Sequence, residues 1–75
     1  MEEVIVNDKQ KYLNDNYPFA DIPKLSDQKL CIHCNRIITV GSYKVFRNQN
    51  GVELIFCQNA PECNGTAIDW VDLDE

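Results

Sequence analysis

β-Branched and aromatic residues fall into short runs along this chain, separated by polar and turn-forming residues, and no run keeps a long helical period. Ile37-Ile38-Thr39-Val40 reads as a strand that ends at Gly41. Tyr43-Lys44-Val45-Phe46-Arg47 and Val52-Glu53-Leu54-Ile55-Phe56 read as two more, joined by Asn48-Gln49-Asn50-Gly51. The Asn50-Gly51 pair is a hairpin signal, because both residues tolerate positive φ. Thr66-Ala67-Ile68-Asp69-Trp70-Val71 is a further candidate strand. Nearer the start, Val4-Ile5-Val6 reads as a short strand, and Asn7 and Asp8 are helix N-cap types. Lys9 to Asn14 then makes a turn or two of helix. Pro18 and Pro23 stop regular structure, so residues 17–23 read as an extended segment whose Tyr17, Phe19 and Ile22 pack as a lid.

A length of 75 residues admits one small domain. Apolar residue types make up 44% of it, which a folded chain needs, and no apolar run is long enough to span a bilayer as a helix. The acidic start, Met1-Glu2-Glu3, has no apolar stretch behind it and does not resemble a secretory signal. A cytoplasmic location with no membrane role is the expectation. Twelve acids against seven bases give a net charge of −5. That field repels nucleic acid and anionic lipid on average.

Four cysteines change the picture. Hydrophobic burial minus chain entropy comes out near zero for so small a domain, so a staple is needed. Reducing conditions disfavour disulfides, which leaves a metal as the first hypothesis. All four cysteines lie from residue 31 onward. The chain therefore divides into an N-terminal extension, residues 1–30, that packs on a module, residues 31–75, ending in an acidic strand.

The pairs are Cys31-Ile32-His33-Cys34 and, 22 residues further on, Cys57-Gln58-Asn59-Ala60-Pro61-Glu62-Cys63. A C-x2-C turn points two thiolates at one spot, and a hairpin of this length brings the second pair back beside the first. Cys31, Cys34, Cys57 and Cys63 are thus candidate ligands of one structural Zn²⁺ in a closed tetrahedron. The predicted fold is a small metal-stabilised β domain, zinc-ribbon-like, with a β-hairpin in a three-stranded sheet. Two disulfides, a redox-active C-x2-C and a four-thiolate iron site are the alternatives. His33 can substitute for a cysteine, or it can be an exposed turn residue. Four thiolates and one zinc make the loaded module two units more negative than its formula. Lys29, Arg36 and Lys44 are candidate cations nearby.

Phe56, Cys57, Asn59, Pro61 and Cys63, followed by Asn64-Gly65-Thr66, carry more than spacing. This stretch resembles the second knuckle of the four-cysteine zinc ribbons at the C-terminus of bacterial type IA DNA topoisomerases. The resemblance runs from about Cys31 to Thr66 and implies a ribbon fold, a structural zinc and single-stranded DNA binding through aromatic and basic side chains. The sequence departs from that family at Asn35, where a Gly is usual, and in charge. Residues 31–75 hold three bases against six acids.

Tyr43, Lys44, Phe46 and Arg47 interleave aromatic and basic types, as single-strand binders do, or else they fill a thin core. In Asp69-Trp70-Val71-Asp72-Leu73-Asp74-Glu75 acids interleave with large apolar residues. Such a tail suits a partner's groove, or its Trp70 caps the core. No catalytic constellation is visible and a closed metal shell leaves no place for substrate, so no enzyme and no small-molecule substrate are expected. The leading expectation is a non-catalytic zinc-binding interaction module, an adaptor or regulator with an unidentified protein partner. A single-stranded nucleic-acid binder is the alternative, and a redox- or metal-responsive protein the third reading.

Overall fold

A computed structural model describes residues 2–73 of the chain. It contains β1 (Glu2–Val4), α1 (Lys9–Asn16), β2 (Gln28–Cys31), β3 (Arg36–Thr39), β4 (Lys44–Arg47), β5 (Glu53–Phe56) and β6 (Trp70–Val71), with 3₁₀ turns at Val40–Ser42 and Ala67–Asp69. The strands form two antiparallel three-stranded sheets, ordered β1-β4-β5 and β3-β2-β6. The small β domain is therefore present, but the single three-stranded sheet gives way to two. Asp74 and Glu75, the end of the acidic tail, lie outside the described residues.

The β4–β5 hairpin forms where its turn chemistry places it. Gly51 takes φ +81°, and the Asn48 side-chain oxygen accepts the Asn50 and Val52 N–H groups. Other elements shift. The first strand ends at Val4, paired with Val45, and Ile5 is 80% exposed rather than part of a strand. β2 has little apolar signal of its own; its edges are satisfied by β3 on one side and β6 on the other. The stretch from Thr66 to Val71 is mostly not strand. Thr66 makes one isolated antiparallel bridge to Phe56 at the end of β5, Thr66 and Asp69 form a capping box around a 3₁₀ turn, and Trp70 and Val71 then pair with β2.

Helix α1 starts at Asp8, whose carboxylate accepts the Lys11 N–H at 3.1 Å. It runs two residues beyond Asn14 and stops just before Tyr17-Pro18. A reciprocal pin holds it down: Lys9 Nζ donates to the Gly41 and Tyr43 carbonyls at 2.8 Å, and the Tyr43 hydroxyl donates to the Lys9 carbonyl at 2.7 Å. Of the expected lid, Tyr17 packs near Trp70, with ring centroids 6.4 Å apart, whereas Phe19 and Ile22 stay exposed. Their segment has no strand partner to draw it against the core.

One core cluster joins both sheets, the helix and the cysteines: Leu13, Cys31, Ile38, Val40, Tyr43, Val45, Ile55, Cys57, Cys63, Ala67 and Trp70. A satellite of Phe46, Phe56 and Ala60 fills the other face of the hairpin, with the two phenyl rings edge to face at 5.4 Å. Leu13 is the only helix residue in the core and is fully buried. Leu13→Ala is expected to destabilise the protein by about 2–5 kcal/mol, read as a lower thermal midpoint. An unchanged midpoint would show that the helix is not docked.

Candidate metal centre

The chain brings all four cysteine sulfurs within 4.8 Å of one another. Cys31 closes β2 and Cys34 lies in the turn before β3, while Cys57 follows β5 and Cys63 ends the second loop. The centre thus sits where the two sheets meet.

Each knuckle is built by local hydrogen bonds. In the first, the Asn35 N–H donates to the Cys31 carbonyl at 2.7 Å and Asn35 takes φ +58°. This left-handed conformation favours Gly, and Asn is among the few other residues that adopt it readily. The Asn at this position therefore satisfies the same backbone need. In the second, Ala60 N–H donates to the Cys57 carbonyl and Cys63 N–H to the Asn59 carbonyl, with a cis peptide between Ala60 and Pro61.

Backbone and amide donors also reach the sulfurs. Asn59 N–H lies 3.4 Å from Cys57 Sγ, and Gly65 N–H lies 3.3 Å from Cys63 Sγ. The Asn59 side-chain amide points at Cys34 Sγ and Cys57 Sγ, 3.7 Å from each. These donors offset negative charge on sulfur, as they must in a centre of four thiolates. Gly65 makes room as well: a Cβ there would sit 2.8 Å from His33 Cβ and 2.9 Å from Cys31 Sγ. Spacing alone gives no sign of that role, because the crowding comes from the other knuckle.

The sulfur geometry is compatible with a bound thiophilic ion. Metal–sulfur bonds of about 2.3 Å around a tetrahedron need sulfur–sulfur edges of about 3.8 Å. Cys31–Cys63 and Cys34–Cys57 both show 3.8 Å, and all four cysteines are free thiols rather than disulfides. Burial acts against ionisation at Cys34, Cys57 and Cys63. At Cys34 the hydrogen bonds from Asn59 and the neighbouring thiols outweigh it and hold the thiol down at about 7. At Cys57 burial wins and pushes the thiol up to about 12, and Cys63 is raised for the same first reason. A bound cation would favour the thiolate form of such a cluster.

His33 is exposed, with Nδ1 3.8 Å from Cys63 Sγ, beside the four-sulfur set rather than within it. Lys29 pairs with Asp72 at 2.6 Å, Lys44 Nζ donates to the Ala60 carbonyl of the second knuckle, and Arg36 lines a cleft beside the centre. The aromatic and basic strip does not present itself for stacking. Tyr43 and Phe46 are buried, and Arg47 is held by Glu2 and Glu53. Trp70 is buried too, capping the core. Among the described residues no helix is long and apolar enough to cross a membrane. No protein-family model, no curated protein and no solved structure matches the chain, so its functional reading rests on these residues and their geometry.

Proposed function

We propose that this chain is a non-catalytic interaction module, stapled by one structural Zn²⁺ on Cys31, Cys34, Cys57 and Cys63, that docks a basic amphipathic helix of a protein partner. Zinc suits the donor set because it accepts four thiolates without a redox change and without a preferred geometry other than the tetrahedron. With four protein sulfurs in its shell, it has no free position for water or substrate.

The observation that carries the docking reading is the outer face of the β3-β2-β6 sheet. Along β2 the side chains alternate: Cys31 points to the core with its neighbour Trp70, whereas Leu30 lies opposite Ile37 and Val71 on the other face. The Ile32 N–H donates to the Asp69 carbonyl at 3.0 Å, so pairing with the segment before β6 runs one residue past β2 and keeps Ile32 beside this sheet. Ile32, Ile37 and Val71 are 56%, 59% and 38% exposed. Three strands about 4.8 Å apart make a face roughly 10 Å wide, the diameter of a helix. The net charge of −5, and two more negative units with the zinc loaded, repel a second copy and attract a basic partner.

The test uses a synthetic amphipathic Leu/Lys helix and its Leu/Glu counterpart as probes. The zinc-loaded protein is expected to bind the first at micromolar concentrations and ignore the second. Ile37→Asp, at an exposed position, should weaken binding about tenfold with zinc content unchanged. Because that substitution adds negative charge, adhesion by charge alone would strengthen instead, and that result would sink the docking reading. A dimer in sedimentation would give the face to a second copy. Micromolar binding of labelled single-stranded DNA that falls steeply with salt would favour the nucleic-acid reading.

A further inference from the structure

We infer that Cys34 is an oxidation site through which peroxide opens the metal centre and releases the zinc. This inference rests on the zinc reading of the four-sulfur cluster and adds a reaction to it. Two independent features separate Cys34 from its three neighbours.

The first is access. Cys31 and Cys57 are 0% exposed and Cys63 is 5% exposed, whereas Cys34 is half-buried. It opens onto a cleft of about 320 Å³ lined by His33, Arg36, Asn59, Glu62 and Cys63. That space admits a molecule the size of hydrogen peroxide with ease. Arg36 lines the same cleft, and its positive charge favours the negative charge that develops on a departing hydroxide, with Glu62 opposing it from the same lining.

The second feature is electronic. A thiolate that accepts N–H hydrogen bonds has part of its charge engaged and is a poorer nucleophile. Cys57 receives the Asn59 N–H and Cys63 receives the Gly65 N–H. Among the described residues Cys34 receives no backbone N–H; its sulfur has only longer contacts, with the Asn59 side-chain amide at 3.7 Å and with the neighbouring thiols, Cys57 Sγ at 3.8 Å among them. Cys31 accepts none from the backbone either, but it is sealed in the core. Cys34 alone combines an accessible sulfur with a lightly engaged one.

The chemistry balances with peroxide as the oxidant. The Cys34 thiolate attacks one peroxide oxygen; an S–O bond forms, the O–O bond breaks and hydroxide leaves, giving the sulfenic acid. Zinc loses that ligand. Cys57 Sγ stands 3.8 Å from Cys34 Sγ and is the resolving thiolate: it attacks the sulfenic sulfur, an S–S bond forms, the S–O bond breaks and a second hydroxide leaves. Two thiolates have given up two electrons and one peroxide has taken them. The ion keeps only Cys31 and Cys63 and dissociates. A dithiol reductant reverses the sequence and restores the ligand set.

The experiment treats the zinc-loaded protein with a sub-stoichiometric dose of hydrogen peroxide. Released zinc is followed with a metallochromic dye, and thiols are mapped by differential maleimide labelling and peptide mass spectrometry. The expected result is modification of Cys34 first, then a Cys34–Cys57 disulfide that appears in step with free zinc and is undone by dithiothreitol. Cys34→His, which keeps a ligand that peroxide does not readily oxidise, should slow zinc release about tenfold. If that variant fails to hold zinc, the order of labelling in the unaltered protein still decides. First modification at Cys31 or Cys63, or loss of all four thiols together, overturns the inference while leaving the zinc centre intact. A purified protein with no bound metal overturns the zinc reading itself, whatever peroxide does.

Discussion

Chelating the proposed zinc, or replacing one cysteine of its site as in Cys57→Ser, is expected to unfold the protein. Three of the eleven residues in the main core cluster are cysteines, and they lie where the two sheets and the helix meet. Neither sheet has a core of its own large enough to survive their loss: the strands are two to four residues long. Removing the ion leaves buried thiols crowded within 4.8 Å of one another, with nothing to hold them there. The free energy at stake is on the order of 10 kcal/mol, as in other small structural zinc modules, which exceeds what so short a chain retains from packing. Acidification should act in the same direction, since protons compete with the metal for sulfur. Circular dichroism and amide exchange, before and after a strong chelator, read the effect. A cooperative melt of Cys57→Ser that matches the unaltered protein would remove the staple from the account.

Gly65→Ala should cost the centre most among substitutions that leave every ligand in place. The added methyl would lie 2.8 Å from His33 Cβ, 2.9 Å from Cys31 Sγ and 3.2 Å from Cys63 Sγ. None of these atoms is the far end of a long flexible side chain: one is a Cβ, and the two sulfurs sit in the crowded four-cysteine cluster. Either the sulfurs move off their tetrahedron or the Gly65 N–H swings away from Cys63. Loss of a supporting contact of this kind typically lowers metal affinity about 10- to 100-fold. Gly51→Ala is the matched control. Its φ of +81° strains any side chain, but nothing lies within 4 Å of the new methyl and the hairpin tip is far from the sulfurs. It should lower stability by roughly 1 kcal/mol and leave affinity unchanged. Competition with a chromogenic chelator separates the two. Equal affinities would mean that the crowding at Gly65 relaxes without touching the ligands.

Much of the local structure is written in neighbouring residues. The Asn48 to Gly51 turn, the Asp8 cap and the stop before Pro18 each depend on chemistry within about four positions, and each occurs where that chemistry lies. The Tyr43 to Arg47 strip shows the boundary of such reading. Its residue types suit base stacking and core filling equally; burial of Tyr43 and Phe46 depends on α1 and on the second knuckle, both distant in the chain.

The sequence by itself determined the cysteine set and the hairpin that lies between the two pairs. These follow from residue type, spacing and length, which involve no long-range choice. Only the tertiary structure decided that β2 would be the middle of a second sheet, that Thr66 to Val71 would turn before pairing, and that Gly65 would have to lack a side chain. It also decided which sulfur meets solvent and which aliphatic row stays uncovered. Such features arise from pairing and crowding between segments distant in the chain, as where Leu30 meets Val71 and where Gly65 meets His33 and Cys31. Local propensity is silent there, because the energy that selects one partner over another exists only once both are in place.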